Sequence, residues 1–205
     1  MADIKLVYFD VRGIGEPARL ILKYAKVKFT DERIDWEQWP TIKPKTKNGK
    51  LPYLEYDGRT IIESYAIDRF LARKYNLAGK DEFEAALVDS IADIQKDFYN
   101  STLPWLFVAR GYVDGNPEDL KKEHVDEPCK TYFPIFSNYL KESKSGFMVS
   151  SGLTWVDFVI TEFFTTLIQF HPNTFDKYPD LKEYLDRVRK VPELKDYYSK
   201  RPNVY

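Results

Sequence analysis

Every strong strand signal in this 205-residue chain lies before residue 77, and the order of those signals leaves few ways to fold. Ile4 to Phe9 has the pattern of a short strand and ends in a turn, Asp10-Val11-Arg12-Gly13-Ile14-Gly15. Glu16-Pro17-Ala18-Arg19 then opens a helix, with Pro17 suited to its first turn. Ala18, Ile21, Leu22 and Ala25 give that helix one apolar face. Phe29 to Ile34 reads as a second strand, so the natural topology is a right-handed parallel unit. The segment Trp36 to Asn48 reads as irregular. After it, Leu54-Glu55-Tyr56 and Thr60-Ile61-Ile62 flank Asp57-Gly58, a strong hairpin signal. Ser64 begins a helix that carries Ile67, Phe70 and Leu71.

The order βαβ-ββα is that of a thioredoxin-like domain, expected over residues 1–77. Leu77-Ala78-Gly79-Lys80 breaks the last helix, and the rest of the chain reads as helical. From Asp81 to about Arg110 runs a long helix with Leu87, Ile91, Ile94 and Phe98 at helical spacing. Amphipathic segments follow at about 117–142, 154–170, 178–190 and 192–199. Thr154-Trp155-Val156-Asp157 reads as a capping box with Asp in the Glu position. Residues 83–205 are therefore expected to form a helical-bundle domain, and the chain is α/β plus all-α.

Composition narrows the function classes. Lys+Arg number 31 against 32 Asp+Glu, a net charge of −1 without the clustered basic excess that nucleic acid demands. Mean hydropathy is −0.49, and no run approaches the ~20 apolar residues of a membrane span. Met1-Ala2-Asp3-Ile4-Lys5 has no basic stretch followed by an apolar one, so no secretory signal is expected and the protein reads as cytoplasmic. The single cysteine, Cys129, excludes an internal disulfide framework and any Cys-x-x-Cys pair. His124 and His171 stand far apart, so no metal site is expected. Aromatic residues make up 16% of the chain, enough both to build a core and to line pockets for flat apolar ligands. Residues 1–79 hold 15 Lys+Arg against 11 Asp+Glu, which suits a small anionic ligand.

Gly13-Ile14-Gly15-Glu16-Pro17-Ala18 formally matches the G-x-G-x-x-[GA] dinucleotide fingerprint, with Asp35 about twenty residues on. Three residues separate Phe9 from Gly13, however, where the fingerprint wants glycine directly after the strand. Pro17 also removes a backbone N–H from the helix end that would receive the pyrophosphate. The same turn carries Tyr8 at the strand end followed by Arg12, and no thiol. Such a domain cannot do thiol chemistry with its own cysteine there, but it can borrow one from a bound peptide-like thiol.

Tyr8-Phe9-Asp10-Val11-Arg12-Gly13, Trp39-Pro40-x-x-Lys43, Gly49-Lys50-Leu51-Pro52 and Glu63-Ser64 occur in the order and spacing of a glutathione transferase. The chain resembles the sigma class, closest to its nematode-type branch, over essentially its whole length. Thr154 to Asp157 and Arg201-Pro202 belong to the match. The resemblance implies glutathione as co-substrate, no required metal, and a homodimer. It implies that the Tyr8 hydroxyl donates to the glutathione sulfur, and that Leu51, before a cis Pro52, pairs with the ligand backbone by strand addition. Trp39, Lys43 and Lys50 would hold the glycyl end, the lysines supplying charge for its carboxylate, and Gly49 belongs to the same glutathione-binding set. Ser64 opens a helix and suits the γ-glutamyl carboxylate. Glu63, and Asp97 reaching across from a second subunit, would address the γ-glutamyl ammonium.

For the second substrate, the resemblance points to Phe9, Ile14, Tyr99, Trp105, Val159, Phe163 and Tyr205, a mostly apolar set that predicts a hydrophobic electrophilic acceptor. Ile14 stands where prostaglandin D synthase members carry arginine, and Lys96 where they carry an acid. The leading expectation is detoxifying conjugation. The alternatives are a glutathione-dependent lipid isomerase or peroxidase, and a non-catalytic carrier of hydrophobic ligands such as haem or a structural relative.

Overall fold

β1 (Ile4–Phe9) is the strand around which the first half of the chain assembles. The computed structural model describes residues 2–202. β1 pairs in parallel with β2 (Thr30–Ile34), Leu6 opposite Asp31. On its other side it runs antiparallel to β3 (Tyr53–Tyr56), Leu6 opposite Leu54, and β3 pairs with β4 (Arg59–Ile62). The sheet order is β2-β1-β3-β4, with the Phe29–Ile34 strand and the hairpin in the places that the sequence signals require. Asp57 and Gly58 both take positive φ, 47° and 75°, which is what a two-residue hairpin turn matched to the strand twist needs.

α1 (Glu16–Tyr24) and α3 (Ser64–Lys74) pack on each other and bury Leu20, Ile21, Leu22, Ile67 and Leu71, with Leu6 and Leu54 buried on the sheet. The segment expected to be irregular contains α2 (Trp39–Ile42) and a 3-10 turn, Lys43–Lys45. A proline near the start of each, Pro40 and Pro44, presets a helical φ in a stretch whose apolar periodicity is too weak to announce it.

Clustering of contacts divides the chain into one unit of Met1–Ala78 with Arg189–Tyr205, and a second of Gly79–Val188. By contacts, the described residues from Arg189 onward group with the first unit. The 3-10 turn Pro192–Leu194 packs on α1 with Leu194 fully buried, and it leads into α9 (Lys195–Lys200). An amphipathic pattern shows that a segment docks, not what it docks against.

Within the second unit, α4 (Glu82–Ala109) starts at Asp81, whose carboxylate accepts the Glu84 N–H at 2.8 Å. α5 (Pro117–Lys121), a π-helical turn at Lys122–Asp126 and α6 (Glu127–Ser143) make up the segment expected at 117–142. α7 (Trp155–Phe170) is buried from Trp155 through Leu167 and packs against α4, and α8 (Pro179–Arg189) follows. Most of the buried aromatic residues lie in this unit's core: Phe133 meets Phe98 edge-on at 5.7 Å and Phe164 at 5.6 Å.

The capping box at the start of α7 is present. Asp157, fully buried, accepts from Thr154 N (2.7 Å), Thr154 Oγ1 (3.2 Å), Met148 N (3.0 Å) and Tyr184 Oη (2.8 Å). The short Asp side chain thus caps α7 and also joins it to the preceding loop and to α8. No helix among the described residues is long and apolar enough to cross a membrane.

Candidate active site

Tyr8 ends the sheet's central strand, pairing with Arg33 of β2, and the chain then turns through Asp10–Arg12 and a 3-10 turn, Gly13–Gly15, into α1. The Tyr8 side chain is mostly buried, and its hydroxyl oxygen accepts the Ile14 backbone N–H at 3.3 Å. The turn is drawn tightly over the ring. A Cβ built on Gly15 would lie 2.5 Å from Tyr8 Cδ1, and one built on Gly13, at φ +41°, would lie 2.5 Å from Tyr8 Oη. The two glycines that mimic a dinucleotide fingerprint are there because a tyrosine ring fills the space their side chains would take.

A charged scaffold holds this turn from behind. Arg19, fully buried on α1, donates to the carbonyls of Val11 (2.7 Å) and Phe9 (3.2 Å) and to the carboxylates of Glu16 (3.1 Å) and Asp31 (2.9 Å). Its guanidinium lies 5.8 Å from the Tyr8 ring centroid. Asp31 is shared with Arg33, which also bonds Asp10 at 2.8 Å. This planar fork, buried and with four acceptors, is a task for arginine rather than lysine.

Beside Tyr8, the Phe9 ring stacks on Trp36 at 4.0 Å and meets Trp39 edge-on at 5.4 Å. Trp39 opens α2, and Lys43 follows on the next turn with its stem passing Gly49, whose Cβ would sit 3.6 Å from Lys43 Cε. Lys43 and Lys50 are both exposed. The Lys50 N–H donates to Asn48 Oδ1 (3.2 Å), and Asn48 Nδ2 donates to Glu63 Oε1 (3.1 Å), tying the Lys50 loop to the start of α3. Leu51-Pro52 is a cis peptide, as the resemblance implies, and it directly precedes β3. Glu63 takes φ +70°, a costly conformation for a residue with a side chain, and hands over to Ser64 at the first position of α3. Helix N-terminal N–H groups and a hydroxyl at that point form an anion-receiving end.

The first unit thus gathers Tyr8, Phe9, Ile14, Trp39, Lys43, Gly49, Lys50, Leu51, Pro52, Glu63 and Ser64 around the β1–α1 turn, the α2 segment and the start of α3. In the second unit Asp97 is an exposed carboxylate on α4. Tyr99 meets Phe163 edge-on at 5.4 Å, Trp105 meets Phe170 at 6.0 Å, and Trp105, Val159 and Phe163 are buried. Burial also raises the Tyr99 phenol above its ordinary range, so it stays protonated at neutral pH. Tyr205 lies outside the described residues. Among the described residues no three His, Cys, Asp or Glu side chains are grouped to hold a metal ion.

Asn48, Arg19 and the pairing of Asp31 with Arg33 are contacts holding these segments that the sequence does not single out. The Asn48-Gly49 pair is itself a turn signal and could have pointed to the loop. Nothing local distinguishes Arg19 from a solvated helix charge.

Two family models match: the glutathione S-transferase N-terminal domain over residues 4–73 and the glutathione S-transferase C-terminal domain over residues 95–201. Glutathione S-transferase 1 of Ascaris suum is 41% identical over 202 residues, covering 98% of each chain. Among solved structures, a monomeric glutathione S-transferase of the hookworm Necator americanus is 40% identical with a TM-score of 0.94, covering 98% of each chain. A Nu-class enzyme of Haemonchus contortus is 37% identical with a TM-score of 0.90, again over 98% of each. With the thioredoxin-like sheet, the Tyr8 turn and the helical unit already in place, these matches settle the family: the chain belongs to the glutathione S-transferases, transferases whose co-substrate is glutathione.

Proposed function

We propose that Tyr8 is the catalytic residue of this transferase and that it conjugates glutathione to hydrophobic electrophiles in the cytoplasm. The observation that carries the proposal is the Tyr8 hydroxyl at the β1–α1 turn, its ring wedged against Gly13 and Gly15 and its oxygen accepting the Ile14 N–H. A phenol so held donates its O–H to sulfur and favours the thiolate. The thiol proton leaves to solvent, and the sulfur lone pair forms the bond to the electrophilic carbon as the acceptor's leaving group or π pair departs. Leu51 supplies backbone pairing, Trp39, Lys43 and Lys50 hold the glycyl end with the lysines facing its carboxylate, Gly49 lies in the same loop, and Ser64 at the α3 N-terminus receives the γ-glutamyl carboxylate. Pro52 fixes the bend, and Glu63 faces the γ-glutamyl ammonium.

The magnitude of the Tyr8 effect is bounded. A thiol of pKa ~8.5 is roughly 3% ionised at pH 7, and lowering that pKa by ~2 units raises the thiolate about 25-fold. A Brønsted coefficient near ~0.5 then costs about tenfold in nucleophilicity, leaving a net gain of a few-fold. The larger share of the acceleration comes from holding an apolar acceptor beside the sulfur. Ile14 with Phe9, and Tyr99, Trp105, Val159, Phe163 and Tyr205, are the residues we assign to it.

We further assign the chain to the nematode-type branch of the sigma class and to a homodimer in which Asp97 of a second copy completes each site; the exposure of Asp97 supports this. Sedimentation at micromolar concentration tests the dimer, and a monomer with full activity overturns it. For Tyr8 the test is Tyr8→Phe with an aromatic electrophile across pH. Glutathione binding should persist while turnover at pH 7 falls at least a few-fold and recovers toward wild type by about pH 9. A deficit independent of pH, or none, refutes the assignment.

A further inference from the structure

The last described helix, with Arg201 after it, meets the β1–α1 turn through a single carboxylate. Glu16, the first residue of α1, is 1% exposed, and its Oε1 accepts from Arg201 Nη1 at 2.7 Å and from Tyr197 Oη at 2.8 Å. Its other oxygen, Oε2, accepts from Arg19 at 3.1 Å, and Arg19 in turn grips the carbonyls of Phe9 and Val11 on either side of Asp10. The crevice lined by Arg12, Glu16, Tyr197 and Arg201 is too narrow to hold a water molecule. A donor lost from there by removal of a single oxygen, as at Tyr197, is therefore not replaced by water already in the crevice. Burial, then the charge and hydrogen bond of Glu16, push the Tyr197 phenol well above its ordinary range, so it remains a donor at any physiological pH.

We infer that Tyr197 and Arg201 are positioning residues for Tyr8, acting through Glu16 and Arg19 on the turn that carries it. The inference rests on the proposed role of Tyr8. Glu16 is the link. With both C-terminal donors in place, its charge is satisfied on both oxygens, and Arg19 remains free to hold the two turn carbonyls with its other N–H groups. Remove Arg201, and a buried carboxylate loses its strongest partner on Oε1. Arg19 is the nearest cation able to compensate, and each N–H it turns toward Glu16 is withdrawn from Val11 or Phe9. The turn then loosens over the Tyr8 ring, and the geometry of the hydroxyl loosens with it. The C-terminal segment, distant in sequence, is thereby part of the glutathione-activating machinery without touching the substrate.

The experiment compares Arg201→Ala, Arg201→Lys and Tyr197→Phe with wild type and Tyr8→Phe. Three quantities are measured: the pH profile of kcat/KM for an aromatic electrophile, KM for glutathione, and amide hydrogen exchange over residues 10–16. The expected result for Arg201→Ala is a thiol titration raised by about half a unit or more toward that of Tyr8→Phe. Its kcat at pH 7 should change by no more than the few-fold of Tyr8→Phe, with KM for glutathione within about twofold. Exchange at residues 10–16 should be faster, and Arg201→Lys should recover part of each effect. Tyr197→Phe, which removes one oxygen and folds even if Arg201→Ala does not, should shift the profile in the same direction by less. A lowered melting temperature with an unmoved pH profile and unchanged exchange at residues 10–16 overturns the inference. If Tyr8→Phe itself leaves the thiol titration unmoved, the assignment of Tyr8 has failed. If Tyr8→Phe moves it and neither C-terminal variant does, the C-terminal inference alone has failed.

Discussion

Replacing Asp157 with Asn removes the charge of a buried, multiply bonded carboxylate of the second unit. Four donors converge on it: Thr154 N, Thr154 Oγ1, Met148 N and Tyr184 Oη. The amide keeps one acceptor oxygen and points its own N–H groups at donors, so about two buried donors lose their partner. At about 1–2 kcal/mol for each, Asp157→Asn should cost roughly 2–4 kcal/mol near pH 8. Urea unfolding followed by tryptophan emission reads this well, since Trp155 is buried in the same first turn. With a slope near ~2 kcal/mol/M, the midpoint should fall by about 1–2 M.

The same site makes a second demand in pH. Burial lifts the Asp157 carboxyl from 3.8 to about 6, against the lowering pull of hydrogen bonds from Thr154, Met148 and Tyr184. A folded pKa above the unfolded one means that the folded chain holds a proton the unfolded chain releases. Wild-type stability from this group is therefore fully present below about 4 and is lost as pH rises to about 6, by up to about 3 kcal/mol. Asn does not titrate, so the deficit of the variant should be larger at pH 5 than at pH 8. A variant within about 0.5 kcal/mol of wild type at both pH values would refute the reasoning, because such a change is the size of an ordinary surface substitution.

Other substitutions test the remaining parts. Gly15→Ala places a methyl 2.5 Å from the Tyr8 ring and should lower kcat/KM about tenfold or more while glutathione still binds; unchanged kinetics would show that the ring tolerates displacement. Asp68 is fully buried on α3 with Oδ1 lacking a hydrogen-bond partner, and burial raises its carboxyl well above the usual range. The folded chain again holds the extra proton, so Asp68→Ala should gain about 1–2 kcal/mol at pH 8, a gain that shrinks toward pH 4; a destabilised variant at pH 8 would contradict this. Burial, then the charge of Asp126, raises the Cys129 thiol to about 12, so thiol reagents at pH 8 should modify it about 10–100-fold more slowly in the native chain than in urea. Equal rates would mean that Cys129 is not shielded.

Much of the site was legible because its signals are local. Tyr8 at the end of a strand, a hairpin turn at Asp57-Gly58 and a helix start at Ser64 are each carried by a few neighbouring residues. Lys43 and Gly49 stand close together in the chain, and the structure brings one over the other. The glycines of the β1–α1 turn were legible as glycines but not for their reason, since the same spacing serves a pyrophosphate or a tyrosine ring. Asn48 bridging to Glu63 crosses an entire hairpin, and no periodicity encodes it.

Local signals along the chain were enough for the α/β half, the helix boundaries at Asp81 and Thr154 and the exclusion of a disulfide framework, while the family resemblance drew on motifs spaced along the whole chain. The first two depend on backbone propensity and capping, which act within a turn or two of the chain. The docking of the segment after Arg189 needed the folded molecule, and so did the link through which Glu16 joins Arg19 to Arg201, 185 residues away. A buried charge takes whichever partner the packing delivers to it, and that choice depends on the whole fold rather than on any stretch of chain.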